Sequence, residues 1–312
     1  MANSSFQFDL SLHNFVIPYG GKYPIFFFGI AIYLFSFFCN ATLLLLIVLK
    51  RNLHTPMYYI LFSLPLNDLI GISAMLPKVL SDIVTESYRI SYPLCVIQAF
   101  LLHMYGGGML FILAAMSFDR YVAICVPLRY SAIMTPKLTL RIMALVWGLD
   151  FFLNVVLFSL QARLPKCRSV ILNVFCDNPS LLKLTCGNAG LNNIIGLVNT
   201  AIMQAISVSV QVFSYVKILI TCLVSKKLET KIKAVNTCVA QMVIFVMFEI
   251  VGTFTILSHR FHNVSADLQK IMGMLIFVVP PLLNPIVYGL YTKEIHSTLK
   301  KMLKIRVDAD VR

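Results

Sequence analysis

Seven apolar runs, each long enough to cross a lipid bilayer, leave this chain very little architectural choice. About 20 consecutive apolar residues span the hydrocarbon, and the runs fall at roughly 24–49, 57–80, 95–125, 140–161, 193–222, 234–258 and 268–290. Inside lipid the backbone polar groups must bond within their own segment, so runs of this kind are helices. The expected fold is an all-α, seven-transmembrane helix bundle. The third run is long for a bilayer, which implies tilt and protrusion. Composition agrees, with 59% hydrophobic and 12% charged residues against about one half and one quarter in soluble domains. With the N-terminus outside, the 26 Lys and Arg residues divide into 17 on cytoplasmic segments and 9 outside. That asymmetry follows the positive-inside rule. The net charge of +13 is therefore assigned to topology and membrane lipids, not to a nucleic-acid partner.

Loops are short except for 162–192, and no internal repeat or soluble domain is evident. The expected division is an extracellular tail at 1–23, a seven-span membrane body at 24–290 and a cytoplasmic amphipathic helix and tail at 291–312. The opening residues have no cationic start and no apolar core, so the first span is expected to serve as the insertion signal. Asn3 and Asn263 each begin a glycosylation sequon on an outer segment, whereas Asn40-Ala41-Thr42 falls inside an apolar run. Of eight cysteines, Cys39 and Cys238 fall in or at the ends of spans. Cys125 and Cys222 fall near the cytosolic face, and Cys95, Cys167, Cys176 and Cys186 outside. Disulfides persist outside, and four cysteines permit three pairings. A zinc site is the chemical alternative, but the spacing lacks a Cys-x-x-Cys pair.

Polar residues within the spans are costly unless partnered, so they mark packing networks or function. Asn40 reads as a helix-packing hydrogen bond. Asp68 is expected to form a network with Asn40 and Asn284. Asp119-Arg120 ends the third span and reads as a paired switch. Above it, His103, Gly106, Gly107 and Leu110 share one helix face. The glycines serve either close helix packing or the opening of a cavity. Trp147 reads as packing, while the pattern gives no role to Asp150. Pro285 permits a kink in the seventh span, beside Asn284 and Tyr288.

The string MSFDRYVAIC followed by PLRYS resembles the olfactory-receptor family of rhodopsin-like G-protein-coupled receptors. So do LHTPMY at 53–58, the Cys-x8-Cys-x9-Cys outer loop with Phe175-Cys176-Asp177, KAVNTC at 233–238 and PPLLNPIVY at 280–288. The motifs run in order over nearly the whole chain. What the resemblance implies is an odorant receptor, not an enzyme, with no cofactor, no metal and no catalytic residue. It would bind a small odorant between its helices, activate a stimulatory heterotrimeric G protein and raise cyclic AMP. It implies the pairs Cys95–Cys176 and Cys167–Cys186. It also implies a switch of Asp119, Arg120, Tyr121, Tyr215, Asn284, Pro285 and Tyr288, with Asp119 holding Arg120 at rest. The ligand-binding set it implies is His103, Gly106, Gly107, Asn199, Glu249, Gly252, Ile256, Arg260 and Met274. His259-Arg260-Phe261 and the Asn236-Thr237-Cys238 opening lean toward the class I or fish-like branch.

Two positions depart from the family pattern. Gln241 replaces the usual histidine of the sixth helix, and Glu249 stands where a tyrosine is common. Met109 stands where the wider class has a polar sodium partner for Asp68. Leu102 stands where amine receptors carry an aspartate, which argues against an amine ligand. Arg260 lies eleven residues beyond Glu249, roughly 16 Å along one helix face. With His103 it suits a carboxylate, while Glu249 disfavours a long acid. The expected ligands are thus short carboxylic acids or amino acids. Three rivals are weaker. A receptor for another small-molecule, lipid or peptide ligand would not share the outer-loop motif. A transporter should show paired inverted repeats. An enzyme needs a nucleophile–base or metal constellation, and none is recognisable.

Overall fold

The computed structural model describes residues 9–14, 17–224, 228–258, 264–291 and 295–297. Seven of its helices are long and apolar enough to cross a membrane. They are α1 (Lys22–Leu49), α2 (Pro56–Thr85), α3 (Tyr92–Cys125), α5 (Pro136–Ala162), α7 (Gly190–Val224), α8 (Leu228–Ser258) and α9 (Ala266–Tyr291). Two short helices lie between them, α4 (Tyr130–Ile133) and α6 (Asn178–Lys183). Each long helix outruns its apolar run by one to six residues at one end or both. Backbone hydrogen bonding continues into the headgroup layer, where polar side chains are solvated, so hydropathy underestimates helix length. At 1.5 Å per residue the 34 residues of α3 reach about 51 Å, well beyond the hydrocarbon thickness. The tail expected at 291–312 lies almost wholly outside the described residues, as do Asn3, Arg260 and Asn263.

Helix starts follow local chemistry. Pro56 and Pro136 occupy first turns, where a missing N–H costs nothing. Thr135 accepts from Leu138 N at 3.3 Å and Asp177 from Ser180 N at 2.8 Å, capping α5 and α6.

Helix α3 is the axis of the bundle and packs against α2, α5, α7 and α8. Its apolar window is 78% buried, against 28% for α1, α5, α7 and α8. At its centre Tyr105 is fully buried in a notch made by Gly71, where a Cβ would strike the ring. The prolines of α9 explain two further contacts. Pro280 has no N–H for Ile276 O, and Tyr105 Oη donates to that carbonyl at 3.1 Å. Pro285 likewise leaves Pro281 O free, and Asn40 Nδ2 and Ser36 Oγ donate to it at 2.8 and 2.7 Å. The network expected around Asp68 is corrected here. Asn284 Nδ2 donates to Asp68 Oδ2 at 2.8 Å, but Asn40 serves the orphaned carbonyl of α9. Trp147 packs in the core and donates to Ser63 Oγ at 3.2 Å.

A feature without a hydropathy signal caps the outer end. Strands β1 (Asp9–Leu12), β2 (Arg89–Ser91) and β3 (Val170–Ile171) form a sheet of order β2-β1-β3. The first pair is antiparallel, with Leu10 opposite Ile90, and the second parallel, with Leu12 opposite Ile171. Leu10 and Leu12 point into a core shared with Cys95, Cys176, Leu181 and Leu184. Their neighbours Asp9 and Ser11 are exposed, the alternation a half-buried strand requires.

Candidate functional site

Beneath this cap the helices line a partly open chamber of about 560 Å³. Its walls come from α3, α7, α8 and α9, and the outer loop with α6 forms its roof. Leu102, Leu110, Phe175, Met203, Phe248 and Phe277 make most of it apolar. Polar groups gather toward α6 and the start of α7, among them Asp177, Asn178, Lys183 and Asn193, with Thr200 and Gln204 farther along α7.

The roof is held by covalent and polar ties. Cys95 is bonded to Cys176, with Cα atoms 5.3 Å apart, and Cys167 to Cys186, at 5.7 Å. The first bond fastens the loop to the top of α3, and the second closes the loop on itself. Gln98 adds a clasp, accepting from Cys176 N and donating to Ala74 O, both at 2.8 Å. Lys166 donates to Gln161 O at 2.7 Å, and burial there pulls its ammonium below the ordinary value.

Among the residues singled out by sequence, His103, Gly106, Gly107, Gly252 and Ile256 line the chamber. Asn199 and Met274 do not. Asn199 is buried in the bundle with no partner for its amide among the described residues, and Met274 packs in a cluster with Phe175 and Val174. Glu249 stands one residue from the lining Phe248, with the Gln204 amide reaching its carboxyl. The two glycines divide the roles weighed above. A Cβ on Gly106 would meet nothing within 4 Å, so that glycine opens space. One on Gly107 would collide with Asp150 Oδ1 and Met203 Sδ, so that glycine permits close packing. Asp150 thereby gains an account. It is fully buried behind the glycine wall and accepts from Asn154 Nδ2 at 2.9 Å. The loop contributions Asp177, Asn178, Pro179, Leu182 and Lys183 were missed. The Asp177-Asn178-Pro179 turn at a helix start was their only local signal.

At the opposite end of α3, Asp119 is 2% exposed and accepts from Tyr130 Oη at 2.8 Å. Its hydrogen bond thus goes to Tyr130 rather than Arg120, which lies within electrostatic reach. Burial and the Asp119 carboxylate hold the Tyr130 phenol above its ordinary value, so it stays a donor. Arg120 also lies within electrostatic reach of Tyr215 and Tyr288. Tyr215 Oη is buried without a hydrogen-bond partner among the described residues. Tyr121 packs on Phe213, ring centroids 5.2 Å apart. Gln241 Nε2 donates to Leu113 O at 2.9 Å and ties α8 to α3.

The family model for olfactory receptors matches residues 29–306. The chain is 34% identical over 271 residues to human olfactory receptor 52J3, covering 86% of each chain. With human olfactory receptor 2T27 it shares 36% identity over 277 residues, 87% of this chain and 86% of that one. With mouse olfactory receptor 8G17 it shares 34% over 286 residues, 90% and 92% of the two chains. Seven membrane helices, an apolar chamber among them and a family match along nearly the whole length lead to one conclusion: the chain belongs to the olfactory receptor family, the multi-pass plasma-membrane receptors for odorants that act through G proteins and are not enzymes.

Proposed function

We propose that a small odorant binds in the chamber and that a stimulatory heterotrimeric G protein reads the event at Arg120, raising cyclic AMP. What supports this is an apolar chamber at one end of α3 and the polar cluster of Asp119, Arg120 and Tyr130 at the other. A volume of about 560 Å³ suits a small molecule with apolar walls and a few polar groups. Switching needs a second arrangement that binding favours. In it, α8 releases its Gln241 tie to α3 and swings outward, and Arg120 turns toward Tyr215 and Tyr288. In this reading residues 1–23 face outside, 24–290 are the receptor body and 291–312 lie on the cytoplasmic side. The class I or fish-like branch is our assignment from the motifs above.

The ligand class we infer is short carboxylic acids and amino acids. Lys183 and His103 line one chamber and can donate to a carboxylate, while Asp177 in the same wall suits a ligand carrying both charges. Arg260 is proposed as a further anchor on sequence grounds alone. The test is a cyclic AMP reporter in cells with verified surface display. The panel contains short acids, their methyl esters, amino acids and diverse neutral odorants. Acids or amino acids should activate, esters should be at least tenfold weaker, and Lys183→Ala should weaken the acid response about tenfold. A flat response to the whole panel would remove the signalling reading. Esters equal to acids would remove the ligand class alone.

A further inference from the structure

Three free cysteines meet at the cytoplasmic ends of α3, α7 and α8, and the switch described above gives them no role. Cys222 continues the buried stripe of α7 that runs through Ser207, Gln211, Ser214 and Ile218 at helical spacing. Cys238 stands on the inward face of α8, one turn from Gln241. Both are shielded, at 9% and 5% exposure. They form one buried cluster with Ile218, and Tyr121, Ile124, Cys125 and Tyr215 pack around it. Cys125 is engaged separately, its Sγ accepting from Thr221 Oγ1 at 3.2 Å. Among the described residues no group of three His, Cys, Asp or Glu side chains is placed to hold a metal ion. The pair spans α7 and α8. Its position matters because α7 and α8 touch only sparsely, whereas α3 and α7 pack along much of their length. A covalent bond across the sparse seam would therefore change the bundle's freedom more than one across the dense seam.

We propose that Cys222 and Cys238 are a redox pair which hydrogen peroxide oxidises to a disulfide, pinning α8 to α7 and holding the receptor at rest. One thiolate attacks a peroxide oxygen, breaking the O–O bond to give a sulfenic acid and, after protonation, water. The second thiol attacks that sulfur, the S–S bond forms and a second water leaves. Two electrons pass from the two thiols to the peroxide, so no further reactant is needed. Cytosolic thiols reduce the bond again by exchange, which keeps the clamp absent unless oxidant is present. The holding effect rests on the outward swing of α8 proposed above; the cross-link itself does not.

The test uses the full chain in isolated cell membranes, whose cytoplasmic face is open to reagents. After hydrogen peroxide, free thiols are blocked and the protein is digested without reduction. A peptide joining Cys222 to Cys238 should appear, vanish on reduction and be missing from Cys222→Ser. Its absence, or a Cys125–Cys222 link in its place, overturns the pair. In the same membranes, ligand-free nucleotide exchange on the stimulatory G protein should fall at least fivefold with peroxide. Reduction should restore it, and Cys222→Ser should be insensitive. Unchanged exchange in membranes where the link has formed overturns the clamp while leaving the bond. No exchange above receptor-free membranes, before any peroxide, would overturn the clamp as a brake on ligand-free exchange and again leave the bond.

Discussion

At the scale of single residues, the bundle's polar groups serve geometry before they serve signalling. Asn40 lies in a run of Leu and Phe, where an amide is out of place until the helix opposite is considered. Pro285 removes the N–H that Pro281 O would have used, and Asn40 and Ser36 supply donors instead. A buried unsatisfied carbonyl costs about 1–3 kcal/mol. With Ser36 still donating to that carbonyl, Asn40→Ala removes one of two hydrogen bonds and should lower the stability of the receptor in detergent by about 0.5–1.5 kcal/mol, measured by thermal unfolding. Adding Pro285→Ala, which restores the N–H, should recover part of the loss. If the double variant is no more stable than Asn40→Ala, the orphaned carbonyl is not what Asn40 serves. Tyr105 and Pro280 repeat the logic one turn earlier, so two prolines of one helix are answered by donors from two others.

Among elements, the least expected is β1. Four residues of the N-terminal tail form the central strand of the cap, with neighbours drawn from a loop eighty residues away and from the long outer loop. Leu12 is 6% exposed in the cluster that also holds the Cys95–Cys176 bond and α6. Burying a carboxylate there without a partner is costly. Leu12→Asp should loosen the roof and reduce surface display severalfold, read by antibody labelling of intact cells. The outward-facing Ser11→Asp, in the same strand, should leave display near wild type. Equal display of the two variants would mean that the strand is dispensable.

Taken as a whole molecule, the bundle joins its two ends through α3, and in the switch proposed above the tie from Gln241 to Leu113 O holds the resting state. Two substitutions should act in opposite directions. Gln241→Leu removes that tie and should raise ligand-free cyclic AMP severalfold. Arg120→Ala removes the group proposed to face the G protein and should abolish signalling while surface display persists. If Arg120→Ala signals normally, Arg120 is not part of the mechanism; if Gln241→Leu is silent, the tie does not hold the resting state. Combined, the two should be silent, because loosening α8 cannot replace the missing guanidinium.

The number and order of the membrane helices were legible in the sequence. Hydropathy over about 20 residues is a property of composition, which lipid reads directly. The face carrying His103, Gly106 and Gly107 was legible too, because helical period alone aligns those residues. Local pattern could not say which glycine opens space and which accepts a neighbour. That depended on Asp150 of α5 and Met203 of α7, distant in sequence and adjacent only after packing. Nor could it show that Asn40 answers a proline some 240 residues away, that Tyr130 rather than Arg120 hydrogen-bonds Asp119, or that a polar tail supplies a central strand. Strand pairing, orphaned carbonyls and chamber walls are relations between segments, and only the tertiary structure brings those segments together.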